Sequence, residues 1–180
     1  MTHPLHPPLL IGAGNRWRRD DGVGAWLVER LEARLGTAVE TRLLSGEGAG
    51  LIDAWQGHAT VWLFDAAAPS GRPGRVTRIA AHAQPVPAEL CHHSTHRFGV
   101  GEAIEMARVL GQLPARLELV AIEGLDFGEG EGLSEFLEGA AETLLEQCEG
   151  LQYAGTNTEM RADLSAQAQR CIRELERERF

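Results

Sequence analysis

The stretch Leu9-Leu-Ile-Gly-Ala-Gly-Asn-Arg-Trp-Arg-Arg-Asp-Asp-Gly-Val-Gly24 changes pattern abruptly along its length. Leu9 to Gly14 is a short apolar run closing on glycines, the form of a buried strand that leaves into a turn. From about Asp20 to Leu35 the apolar residues Val23, Trp26, Leu27, Leu31 and Leu35 recur at helical spacing. Asp20 and Asp21 stand where the positive end of that helix favours carboxylates. A strand, a glycine turn and a helix in that order open a βαβ unit, which makes the chain an α/β protein.

The same alternation continues outward. Ala38 to Leu44 reads as a second strand and Gly48 to Gly57 as a short helix carrying Leu51, Ile52 and Trp55. Ala59 to Phe64 is a continuous β-prone run suited to burial on both faces, and it stops at Asp65. A Gly/Pro/Arg turn at Pro69 to Gly74 leads to a further strand, Arg75 to Ala80, and Pro85 to Ser94 reads as a loop. Phe98 to Leu113 is helical through Val100, Ile104, Ala107 and Leu110; Leu117 to Ile122 returns to strand. Leu133 to Cys148 is an amphipathic helix. These segments predict three layers, helix–sheet–helix, around a mostly parallel twisted sheet with right-handed crossovers. Residues 1–150 form one domain. Residues 151–180 form a linker, Tyr153 to Asn157, and a charged helical tail from Met160 to Phe180.

Bulk properties narrow the function. The 180 residues suit a single domain, and the net charge of −9 argues against a nucleic-acid partner bound through a basic surface. All 17 basic residues are arginine. That removes P-loop, Schiff-base and Ser–Lys chemistry. Cys91, Cys148 and Cys171 are widely spaced, form no CxxC pattern and suit a reducing compartment. No apolar run approaches the ~20 residues of a membrane span. Met1 to Pro8 lacks the basic and apolar regions of a secretion signal. The expected location is cytoplasmic, without membrane insertion.

In an open α/β sheet, ligands bind beyond the carboxyl ends of the strands. There the chain gathers polar residues: Gly12 to Asn15 with Asp20 and Asp21, then Ser45, Gly46 and Glu47, then Asp65. His92, His93 and His96 follow, and finally Glu123 and Asp126. Two carboxylates and one imidazole, as in Asp21, Asp65 and His96, suit an open site for a divalent transition metal such as nickel or zinc. Three protein ligands leave a position for substrate. HExxH and GxSxG motifs are missing, and Ser94 has no identifiable triad partners. Gly12-Ala-Gly14 is half of a dinucleotide fingerprint, with Trp17 where its third glycine belongs.

Taken together, these residues resemble the hydrogenase maturation proteases. Ile11 to Gly24 looks like the family's GxGN…DDGxG opening, and Phe64-Asp65-Ala66-Ala67 is similar to its strand-end aspartate segment. Ser94 to Ile104 resembles its histidine-then-helix segment, with His96 at the histidine position. Val120 to Glu123, followed by Gly132-Leu-Ser134, resembles its closing strand and helix start. The segments run in family order over roughly residues 9 to 148. The resemblance implies a five-stranded sheet and an endopeptidase that removes a C-terminal peptide from a nickel–iron hydrogenase large-subunit precursor after nickel insertion. It also implies that Asp21, Asp65 and His96 are catalytic and metal-contacting. The nickel would be carried by the substrate, with no permanently bound cofactor. An aspartic-type mechanism, a carboxylate general base and metal-polarised carbonyl attack all fit these residue types. Where many members carry an aspartate after the second strand, this chain has Ser45 and then Gly46-Glu47; Glu47 reads as a surface residue ahead of a substitute carboxylate. Two other readings stand beside it: a non-cleaving, nickel-dependent hydrogenase assembly protein using the same three residues, and a nucleotide-binding α/β domain built on Gly12 to Gly14.

Overall fold

The computed structural model describes residues 6–87, 90 and 98–149. The expected linker and tail lie outside them, as do Cys91, His92, His93, Ser94, His96 and Cys171. Five strands, β1 Leu9–Ala13, β2 Glu40–Leu44, β3 Thr60–Ala67, β4 Val76–Ala80 and β5 Arg116–Glu123, form one sheet in the order β2-β1-β3-β5-β4. All neighbours are parallel except β4, which runs antiparallel along the edge beside β5. Four α-helices cover the sheet: α1 Val23–Leu35, α2 Gly48–Ala54, α3 Val100–Leu110 and α4 Glu135–Glu149.

Alternation along each strand sorts the core into two. Leu9, Ile11 and Ala13 of β1 face a cluster with Leu51 and Trp55 near α2 and with Val100 and Ile104 of α3. Leu10, Trp62 and Phe64 face the other way, against Val23, Leu27 and Leu31 of α1 and Leu137, Leu144 and Leu145 of α4. Every residue of β1 is buried, as a central strand covered by helices on both faces requires. The three-layer expectation therefore holds. Among the described residues, no helix is long and apolar enough to cross a membrane.

Two boundaries differ from the sequence reading in ways that matter for the site. The expected helix from Asp20 begins as a 3-10 turn, Arg19–Gly22, and the α-helix proper starts at Val23. Strand β3 does not stop at Asp65: Asp65, Ala66 and Ala67 continue to pair with Ala121, Ile122 and Glu123 of β5. The last β1–β3 pair is Gly12 with Phe64. Asp65 thus lies one residue beyond the point where β3 loses one neighbour and keeps the other.

Candidate active site at the carboxyl ends of the strands

Strand β2 lies on one side of β1 and β3 on the other, so the chain reverses its direction of winding between β1 and β3. That reversal opens a crevice at the carboxyl end of the sheet, where α/β proteins bind ligands. Asp65 projects from β3 at its margin.

The glycines of the opening motif bring Asp21 to the same margin. A Cβ on Gly12 would lie 2.5 Å from the Gly24 carbonyl oxygen, and one on Gly24 would overlap the carbonyl oxygens of Ala13 and Phe64. The start of α1 therefore rests directly on the backbone of β1 and β3. Gly14, at φ 113°, would overlap the Asp21 carbonyl with any side chain. Only glycine allows residues 15–22 to fold back this closely. Within this turn the Asn15 amide donates to Asp21 Oδ2 at 3.1 Å, and the Trp17 amide donates to Asn15 Oδ1 at 3.0 Å.

The two adjacent aspartates have separate environments. Asp20 is fully buried, and its carboxylate accepts from the amides of Leu125 (2.8 Å), Asp126 (2.8 Å) and Ser134 (2.6 Å), and from the Ser134 hydroxyl (2.8 Å). Burial works against its ionisation, but these hydrogen bonds outweigh it and hold the carboxyl below its ordinary pKa. Asp20 staples the loop after β5 to the loop after β1; the Arg19 amide, donating to Gly130 O at 2.9 Å, adds to the same seam. Asp21 is half-buried and faces the crevice side, where its charge acts on Asp65.

Among the described residues, Asp65 is the most perturbed group. Enclosure by protein, reinforced by the negative charge of Asp21, pushes its carboxyl up to about 7, against the opposing effect of a 2.9 Å hydrogen bond from the Ala66 amide. A carboxylic acid that exchanges its proton near neutrality can serve as general base or acid, which an ordinary surface aspartate does poorly.

The remaining rim residues separate by what they bind. Glu123 is buried, and its carboxylate accepts from the Ser70 amide (2.5 Å), the Ser70 hydroxyl (2.6 Å) and the Arg72 amide (2.7 Å). It thereby anchors the turn before β4, and although burial opposes the charge, these partners lower its pKa. Asp126 pairs with Arg19 at 3.3 Å. Glu47 is exposed and caps α2, accepting from the amides of Ala49 and Gly50 at 3.0 Å. His96 lies outside the described residues. Phe98, two positions after it, rests at the start of α2, where its carbonyl accepts from the Gly48 amide at 3.0 Å and its ring fills the space a Gly48 side chain would need.

The geometry speaks against the nucleotide reading. In a dinucleotide fold the glycine turn leads straight into a helix whose first amides hold a pyrophosphate. Here the turn Asn15 to Gly22 intervenes and sets carboxylates before α1, where a phosphate would be repelled.

An open, mostly parallel α/β sheet with an acid pair at its winding reversal defines an α/β domain with a crevice site at its strand ends, and comparison identifies the family. Residues 26–151 match the family model described as hydrogenase maturation protease. The chain is 27% identical over 139 residues to the hydrogenase expression/formation protein HupD of Rhizobium leguminosarum bv. viciae, covering 73% of this chain and 69% of that one. It is 28% identical over 143 residues to the hydrogenase 2 maturation protease of Escherichia coli K12, covering 77% and 86%. The solution structure of an endopeptidase from Escherichia coli superposes with a TM-score of 0.67 at 26% identity, over 78% of this chain and 88% of that one. The chain belongs to the hydrogenase maturation protease family.

A second cluster went unread in the sequence. His6, Glu40 and His58 bring ligand atoms within 4.8 Å of one another at the amino ends of the strands. They come from three separated segments, so no spacing rule could have gathered them.

Proposed function

We propose that this protein is the endopeptidase that removes the C-terminal peptide of a nickel–iron hydrogenase large-subunit precursor after nickel insertion. In this reading the substrate's nickel docks on Asp21, Asp65 and His96. The observation that carries it is the pairing of Asp21 with a near-neutral Asp65 at the crevice of a family member. Two carboxylates and an imidazole leave a position open in a metal's coordination shell, which a donor from a second molecule can fill. A divalent ion arriving beside Asp65 would favour its ionised form, opposing the Asp21 charge. Docking of a loaded substrate would then generate the carboxylate that accepts a proton from the attacking water.

Purified protein incubated with nickel-loaded and nickel-free precursor, followed by the mass of the large subunit, tests this. The expected result is shortening of the loaded form alone. Equal cleavage of both forms would remove nickel recognition and leave the peptidase. A loaded precursor that binds and never shortens would favour a non-cleaving assembly protein.

A further inference from the structure

We propose that His6, Glu40 and His58 form a second site for a divalent ion of the nickel–copper–zinc group, with three protein ligands and one open position, at the end of the sheet opposite the acid pair. The donors are fixed by the starts of three neighbouring strands. Glu40 is the first residue of β2, and its amide donates to Pro8 O at 2.9 Å. His58 lies two residues before β3, with its side chain only 4% exposed. His6 directly precedes Pro7 and Pro8, whose rings stiffen the approach to β1 and hold the imidazole over the other two groups. The two imidazole rings lie 5.2 Å apart, centre to centre.

The proton inventory of His58 points to a cation. Its Nδ1 faces the Pro7 carbonyl oxygen at 3.4 Å, and a carbonyl can only accept. The ring proton of a neutral imidazole therefore belongs on Nδ1. That leaves the Nε2 lone pair facing Glu40 Oε2 at 3.4 Å, acceptor against acceptor. On the other side, His6 Nδ1 lies 3.5 Å from Glu40 Oε1. A neutral His6 with its proton on Nδ1 can donate to Glu40, so the unmatched contact is the one between His58 Nε2 and Glu40 Oε2. One metal ion between the three groups satisfies them all. Donors about 2.0–2.1 Å from a tetrahedral zinc stand about 3.3–3.4 Å from each other; His58 lies near that distance from Glu40 Oε2 and His6 from Glu40 Oε1, and one ligand atom from each residue falls within 4.8 Å of the others. The Pro7 carbonyl on Nδ1 supplies the outer-shell hydrogen bond that orients a ligating histidine. The exposed side of His6 leaves a fourth position to water. Such an ion would tie the residues before β1 to β2 and β3, far from the crevice.

The test is a competitive titration of the tag-free full chain with zinc chloride against a chromophoric chelator, paired with thermal melting. Asp65→Asn with His96→Ala disables the rim, and His6→Ala and Glu40→Gln disable this site while sparing buried His58. The expected result is one zinc equivalent that survives the rim double variant, raises its melting temperature, and weakens at least tenfold in both His6→Ala and Glu40→Gln. Zinc binding unchanged in those two variants, or none at micromolar zinc in the wild type, would overturn the site and leave an imidazolium–carboxylate cluster. Because the rim is disabled separately, this outcome is independent of the peptidase proposal.

Discussion

Asp20 and Asp21 are chemically identical neighbours with opposite assignments, and the difference lies wholly in what surrounds them. The sequence showed two helix-start aspartates; which one is sealed under the loop after β5 depends on contacts with Leu125, Asp126 and Ser134, more than a hundred positions away. Asp20→Ala should lower stability by roughly 3 kcal/mol, because three part-buried amides and the Ser134 hydroxyl lose their acceptor. Since the Asp20 pKa is lowered in the fold, its contribution is present at neutral pH and disappears as pH falls through the acid range. Asp21→Ala should melt close to the wild type and lose cleavage; chemical denaturation beside a precursor-processing assay separates the two. Asp65 has the reverse linkage. Its carboxyl titrates at about 7 in the fold against an ordinary 3.8, so the native state binds the proton more tightly and stability falls as pH rises between those values. Asp65→Asn, which never ionises, should melt above the wild type at about pH 8, and the two should converge near about pH 4. Cleavage by the wild type should rise through about pH 7 if the ionised carboxylate is the working form. Asp21→Asn should move the Asp65 midpoint to lower pH, as read by the carboxyl carbon's NMR shift. An unmoved midpoint would show that the two groups are not coupled.

Element by element, strands and helices were legible because apolar periodicity and glycine turns are local signals. The errors fell where a neighbouring element overrides the local one. Strand β3 runs past Asp65 because β5 offers pairing out to Glu123, a partner invisible from residues 59 to 67 alone. The helix expected at Asp20 is delayed to Val23 because residues 15–22 must first climb over the end of β1. That climb makes the glycines unequal. Gly24→Ala would thrust a Cβ into the carbonyls of Ala13 and Phe64, with the Ala13 amide nitrogen at 2.8 Å. It should cost about 3 kcal/mol and spread the α1–β1 contact that presents Asp21. Gly139, inside α4 with nothing within 4 Å of an added Cβ, should behave in the opposite way. Gly139→Ala should stabilise by about 1 kcal/mol through helix propensity. Urea denaturation of both variants checks the pair, and similar losses would mean that backbone contact is not what the motif glycines serve.

At the scale of the whole molecule, the class and the crevice were readable because α/β topology ties function to strand ends. The cluster of His6, Glu40 and His58 was not, because it sits at the other pole, where no such rule operates. The same reasoning bears on residues 151–180. Both sheet faces are already covered by helices that end at Glu149, α1 and α4 on one side and α2 and α3 on the other. The family match likewise ends at residue 151. Leu164, Cys171, Ile172 and Leu175 fall at helical spacing but are few among charged and polar residues, so the apolar area available to bury is small. Deleting Met160 to Phe180 should therefore change the melting temperature by no more than about 2 °C, the equivalent of roughly half a kcal/mol for a domain of this size. Calorimetry of the truncated and full chains gives the comparison. A fall of about ten degrees would mean that these residues complete the core and that the domain extends past 150. An unchanged melting temperature with slower cleavage of loaded precursor would assign the segment to holding the large subunit, since the crevice and its acid pair would remain intact.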